Sequence, residues 1–212
     1  DQPADPRLSQ SAAALGPGVI GTRRALLWVA LAIPAALMIQ RFASGEALAM
    51  DLYHPSGEMA VRLMILALLP GPLADALGYS RFLRGWLAIR RNFGVAAFLY
   101  ALLHLVFYVL DMRMIAAMLD EVVIPGIWTG WLSLVLMLVP AAISSDRAMR
   151  WLGRRWKSWQ RLVYPAFLLA LIHWLLLDWQ WGPALVHLAP LVLAWILRFA
   201  LRRRKSLSRS IA

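Results

Sequence analysis

Residues 90–110 read RRNFGVAAFLYALLHLVFYVL, and the run from Asn92 to Leu110 decides the architecture. Two arginines stand before it, and no Asp, Glu, Lys or Arg interrupts it until Asp111. At about 1.5 Å rise per residue it covers about 28 Å, close to the ~30 Å hydrocarbon thickness of a bilayer. Its apolar residues form a block, whereas a water-exposed amphipathic helix would show only a stripe. His104 lies inside this run. An ionisable residue at such depth is costly and marks a functional candidate.

Five more runs have the same character. One extends from Ala25 to Gln40, with Pro34 as a kink point. A second starts near Met59 and meets Pro70-Gly71-Pro72, which is expected to break or end it. The others cover Ile127 to Ile143, Leu162 to Leu177 and Pro183 to Ala200. The pattern predicts an all-α integral membrane protein, a six-helix bundle. Composition agrees, because 61% of the 212 residues are hydrophobic and 16% are charged. One soluble core cannot hide that much apolar surface. The net charge of +11 would suit nucleic acid, but the basic residues sit between the apolar blocks, as in the cytoplasmic loops of membrane proteins. Cysteine is absent, which removes disulfides, iron–sulfur clusters, thiolate catalysis and covalent haem attachment.

Residues 1–24 are polar, lack the apolar core of a signal peptide, and are expected to form a mobile cytoplasmic tail. Residues 25–200 make the membrane domain, and 201–212 a basic cytoplasmic tail. With the N-terminus inside, Arg7, Arg23 and Arg24 are cytoplasmic. The loop after the second helix adds Arg81, Arg84, Arg90 and Arg91. The loop after the fourth adds Arg147, Arg150, Arg154, Arg155, Lys157 and Arg161, and Arg198 to Arg209 complete the set. Only Arg41, Arg62 and Arg113 are left for the outer side. Both termini are therefore expected in the cytoplasm.

His104 lies twelve residues past Asn92 and His173 twelve past Arg161, about 18 Å above the inner boundary in both cases. Matching depth on two helices running the same way suits a bis-imidazole haem. It suits equally two histidines that hydrogen-bond neighbouring helices. Zinc is disfavoured, since no third or fourth Cys, Asp or Glu ligand shares that depth. His187 reads as an interfacial histidine, with a quinone headgroup or proton transfer as the functional alternative. His54 reads as a packing or capping residue of the first outer loop, ahead of a helix start at Ser56 and Glu58. Asp75 reads as a solvated helix end.

The segment Arg90-Arg91-Asn92-Phe93-Gly94, followed by Tyr100 to His104, resembles the third-helix signature of ferric-reductase-like transmembrane domains. Within that superfamily the chain is most similar to the MsrQ (YedZ) family, the haem-binding membrane subunits of periplasmic protein-methionine-sulfoxide reductase systems. His54-Pro55-Ser56-Gly57 is similar to the family's His-x-Thr/Ser-Gly. Ser144-Ser145 with Ala148-Met149, and Trp156 through Tyr164 to His173, resemble its fourth-helix exit and fifth helix.

The resemblance implies that His104 and His173 are axial ligands of haem b. It implies an electron-transfer subunit of the bacterial inner membrane rather than a catalytic one. Electrons would pass from the quinone pool or a cytoplasmic flavin donor to a periplasmic molybdenum-containing, MsrP-like reductase. FMN is a further cofactor of the family, and quinone a possible one. Arg90, Arg91 and the Arg147–Arg161 loop are the candidates for a flavin phosphate or a haem propionate, by charge-assisted hydrogen bonds, with topology setting as the alternative role of each arginine. One departure stands out. Thirteen residues before His173, where the family usually carries another histidine, this chain has Gln160, so one haem is expected. The competing possibilities are a free-standing ferric-chelate reductase and a non-redox membrane scaffold. Against the former, the chain shows no strand–G-x-G-x-x-G–helix unit of an appended flavin or nicotinamide domain.

Overall fold

The computed structural model describes residues 17–178 and 181–210, and among them every regular element is a helix. In chain order these are α1 (Pro17–Ala43), α2 (Ala49–Leu68), α3 (Pro70–Leu77), α4 (Arg81–Met112), α5 (Ile115–Glu121), α6 (Pro125–Ala142), α7 (Asp146–Leu152), α8 (Arg154–Gln160), α9 (Val163–Leu177) and α10 (Trp181–Ser210). Six segments are long and apolar enough to cross a membrane: Arg24–Ala43, Ala49–Leu77, Arg81–Met112, Pro125–Ala142, Arg154–Leu177 and Trp181–Arg203. The chain is a six-helix, multi-pass membrane bundle.

Four helices make the centre, as two pairs: α2 packs along α4, and α6 along α9. Small residues let the backbones approach, with Ala97 and Ala166 fully buried among Met64, Tyr100 and Leu171. Ser133 Oγ ties α6 to α9 by donating to the Ala166 carbonyl at 2.8 Å. α1 leans on α2 and α4 from outside, and α10 on α3, α2 and α9.

Several boundaries differ from the sequence expectation. α2 begins at Ala49, ten residues before Met59, because Asp51 caps it by accepting from the Leu48 N–H at 2.9 Å. His54, Pro55 and Ser56 are therefore helical, and neither Ser56 nor Glu58 starts the helix. Pro70 does not end the span. Leu69 keeps right-handed helical angles, and proline at the first position of α3 needs no N–H partner. α4 starts at Arg81, capped by Ser80 Oγ, which accepts from the Leu83 N–H at 3.2 Å. Arg81, Arg84, Arg90 and Arg91 thus lie on its first turns rather than in a loop. Arginine is a good helix former, and its long stem lets the charge reach water. α1 begins at Pro17 and α10 continues to Ser210, so both expected tails are partly helical where they are described. Residues 1–16 and 211–212, which complete those tails, lie outside the described residues.

The two ends of the bundle differ in charge. The end formed by the α3–α4 turn, α7, α8 and the last turns of α10 carries the runs of arginine. There Asp75 is no solvated helix end. Arg198 Nη2 reaches it at 2.6 Å and Arg202 Nη2 at 3.1 Å, clamping α10 to α3. The other end carries Asp111, Asp120, Glu121 and Asp178.

Pro34 has a partner that its own segment does not reveal. The Tyr100 hydroxyl, on α4, donates to the Leu31 carbonyl at 2.8 Å and accepts from the Ala35 N–H at 2.9 Å. It stands between the two groups that would bond each other in an uninterrupted helix. Tyr100 is 4% exposed. Tyr100→Phe should leave both groups short of a partner and cost about 1–3 kcal/mol. Thermal unfolding in detergent checks this, with the loss expected as a lower Tm.

Candidate functional site

His104, two turns before the end of α4, and His173, one turn before the end of α9, meet between the two helix pairs. Their ring centroids are 5.9 Å apart and the planes stand at 88°. Neither Asn92 nor Arg161 begins a helix, but the two rings counted from them lie side by side.

Each ring is held by the helix opposite. His104 Nδ1 lies 2.6 Å from the Tyr53 carbonyl on α2, and His173 Nδ1 lies 2.6 Å from the Gly126 carbonyl on α6. A carbonyl only accepts, so each Nδ1 carries the proton and donates it. Each Nε2 is left with its lone pair. Both histidines line one cavity of about 550 Å³. Its walls are largely apolar, including Ala60, Val61, Met64, Leu134, Met137 and Ala170. Tyr53, His54, Glu58, Tyr108, Asp111, Glu121 and Asp178 make its polar part.

This arrangement fits a haem. One metal atom between two imidazoles needs two bonds of ~2 Å, plus ~1 Å from each nitrogen to its ring centre, close to the separation present. Among the described residues no group of three or more His, Cys, Asp or Glu could hold a bare metal ion. A metal that brings its own equatorial ligands, as a macrocycle does, needs only the two axial donors. The cavity is also of the size that holds a cofactor.

Arg90 and Arg91 are not part of this cavity. They precede His104 on α4 by more than three turns, about 20 Å along the axis. Arg90 is exposed, and Arg91 Nη2 donates to Asp146 on α7. They are therefore no candidates for a propionate of a haem held at His104. Gln160 also lies apart, with Nε2 donating to the Pro140 carbonyl at 3.1 Å.

His54 is a cavity-lining helical residue rather than a loop residue, with its ring 6.2 Å from that of Trp174. His187, on α10, has its ring 6.0 Å from that of Trp174 as well. Its Nδ1 donates to the Pro183 carbonyl at 2.5 Å, and its Nε2 accepts from Arg62 Nε at 2.8 Å. Arg62 also donates to Glu58 at 2.6 Å. Glu58 and Arg62 escaped the sequence reading, although their i,i+4 spacing inside an apolar helix was a usable signal. The acceptor carbonyls of Tyr53 and Gly126 left none, since backbone groups are invisible to composition.

The family described as ferric reductase like transmembrane component matches residues 56–171. A protein-methionine-sulfoxide reductase heme-binding subunit MsrQ from Brucella anthropi is 39% identical over 163 residues, covering 74% of this chain and 72% of that protein. The MsrQ proteins of Brucella ovis and Brucella suis are each 38% identical over 159 residues, covering 72% of this chain and 70% of theirs.

Two outcomes are expected. Histidine-selective 15N spectra of the haem-free protein should show His104 and His173 as the Nδ1–H tautomer, and a Nε2–H tautomer at either would contradict the geometry. Outside the membrane spans, the hydrogen bond and charge of Arg91 hold the Asp146 carboxyl below its ordinary value. The ion pair should persist above the usual aspartate range and be lost as pH falls through the lowered value. In Arg91→Ala, a carboxyl 13C titration should show Asp146 moved back up.

Proposed function

The chain belongs to the ferric-reductase-like transmembrane family and, within it, to the MsrQ group, and from that premise we propose that it is a b-type haem electron-transfer subunit of a protein-methionine-sulfoxide reductase system. The observation that carries this is the pair of adjacent imidazoles, with ring centroids 5.9 Å apart, each with Nδ1 donating to a helical carbonyl. His104 and His173 would hold the iron through Nε2. Haem b, when bound, supplies a one-electron iron couple.

The chain's own residues do the rest. The Tyr53 and Gly126 carbonyls fix each imidazole's tautomer and direction, as second-shell acceptors of metal-bound histidine do. Ala60, Val61, Met64 and Met137 give the cavity apolar walls for a macrocycle to pack against. Nothing in the chain outside this cavity supplies a second pair of facing histidines among the described residues, and Gln160 stands in the family's other histidine position, so one haem is our reading.

The positive-inside rule orients the molecule. The arginine-rich end faces the cytoplasm with both termini, residues 1–24 and 201–212 flank the membrane domain 25–200, and the protein resides in the bacterial inner membrane. His104 is then about 12 Å, and His173 about 6 Å, from the outer ends of their helices. That short distance favours a periplasmic acceptor, a molybdenum-containing MsrP-like catalytic subunit. The donor is the quinone pool or a cytoplasmic flavin. Arg90 and Arg91, at the cytoplasmic end, are the candidates to bind an FMN phosphate.

Pyridine-haemochrome assays with visible spectra on detergent-purified wild type, His104→Ala and His173→Ala test this. About one haem b per chain is expected, lost in both variants. A well-folded wild type that takes up no haem would overturn the proposal. Haem that reduces a ferric chelate as readily as the periplasmic partner would favour a free-standing reductase instead.

A further inference from the structure

Two hydroxyl–glycine pairs repeat one geometry on opposite sides of the cavity. On α2, Ser56 Oγ donates to the carbonyls of Leu52 at 2.8 Å and Tyr53 at 2.9 Å, and Gly57 follows. On α6, Thr129 Oγ1 donates to the carbonyls of Pro125 and Gly126, both at 2.8 Å, and Gly130 follows. Tyr53 and Gly126 are also the carbonyls that receive His104 and His173. In each half, then, the acceptor lies three residues before the hydroxyl and four before the glycine. Ser56 is 0% exposed and Thr129 3%.

The spacing has a physical reason. A helical carbonyl already accepts the N–H four residues on, here that of the glycine, so the imidazole and the hydroxyl share its remaining acceptor capacity. To reach it, the ring must cross the residue at that fourth position. A Cβ on Gly57 would stand 3.0 Å from His104 Nδ1 and 3.3 Å from Cε1. A Cβ on Gly130 would stand 2.5 Å from His173 Nδ1 and 2.7 Å from Cε1. Alanine would crowd the first ring and displace the second. The hydroxyl acts on the same carbonyl oxygen differently. It is a competing donor, and so weakens the pull on the imidazole N–H. Pull at Nδ1 raises the basicity of a ligating Nε2.

We propose that Ser56-Gly57 and Thr129-Gly130 are paired positioning elements for the two imidazoles. The glycines admit each ring to its carbonyl, and the hydroxyls moderate the hydrogen bond that sets how strongly Nε2 donates to iron. This rests on the haem reading above. Small residues that merely pack helices, or hydroxyls that merely bond back to their own helix, would change stability and leave the iron untouched.

The test uses the full chain purified with haem, in wild type, Gly57→Ala, Gly130→Ala, Ser56→Ala and Thr129→Val. Gly85→Ala, whose Cβ meets nothing within 4 Å, serves as a control. Haem per chain, the midpoint potential, helical content and monodispersity are read for each. Gly130→Ala should retain haem roughly tenfold less well, and Gly57→Ala should lose less. Ser56→Ala and Thr129→Val should keep their haem and shift its potential to more negative values, further in the double variant. Gly85→Ala should match wild type. Wild-type haem content and potential in Gly130→Ala would overturn the role of the glycines. Should Gly130→Ala misfold, the hydroxyl variants still decide, because an unchanged or raised potential in both overturns the proposal. A wild type without haem would instead fail the haem reading itself, and this proposal with it.

Discussion

An imidazole buried between membrane helices needs an acceptor for its N–H, and in hydrocarbon every backbone carbonyl within reach already serves its own helix. His104 and His173 resolve this by sharing a carbonyl, and much of the bundle follows from that sharing. The acceptor must belong to the helix opposite, so α4 must lie against α2 and α9 against α6. The ring must pass close to that helix's backbone, so the contact is built from small residues. With Nδ1 occupied, Nε2 keeps the free lone pair on each ring, and the two rings come within 5.9 Å of each other beside one cavity.

The same economy appears at other interruptions of the helical ladder. Pro34 weakens α1, and Tyr100 places its hydroxyl where the neighbouring backbone bond would close. Pro70 divides α2 from α3, yet Leu69 stays helical and the span continues. At the arginine-rich end ion pairs join the elements: Arg91 with Asp146, and Arg198 and Arg202 with Asp75. That end can face water, so charge can be spent on clamping helices. The cavity lies toward the opposite end, where the connecting segments carry carboxylates. Cation and anion excess are thus separated along the bundle.

Much of this was legible beforehand, for identifiable reasons. Hydrophobic runs report membrane spans because lipid acts on every residue of a span alike, so all six emerged from a linear reading. His104 and His173 emerged because an ionisable residue is conspicuous against an apolar background. Where the reading failed, local signals competed. His54 and Ser56, beside Pro55, look like a loop leading into a helix, but Asp51 had already started that helix. Arg90 and Arg91 look like loop residues because they are charged, but an arginine at a membrane boundary can remain helical while its head reaches water.

By itself, the sequence determined the number of spans, the charge asymmetry of their ends and the two histidines within apolar spans, all of which depend on what each residue is and how far along the chain it stands. Only the tertiary structure decided which helices pair, which carbonyl each imidazole takes, and that Ser56-Gly57 and Thr129-Gly130 occupy equivalent places. Those depend on contacts between backbone atoms far apart in the chain. A backbone carbonyl is the same in every residue, so nothing in the order of side chains marks the one that will be shared.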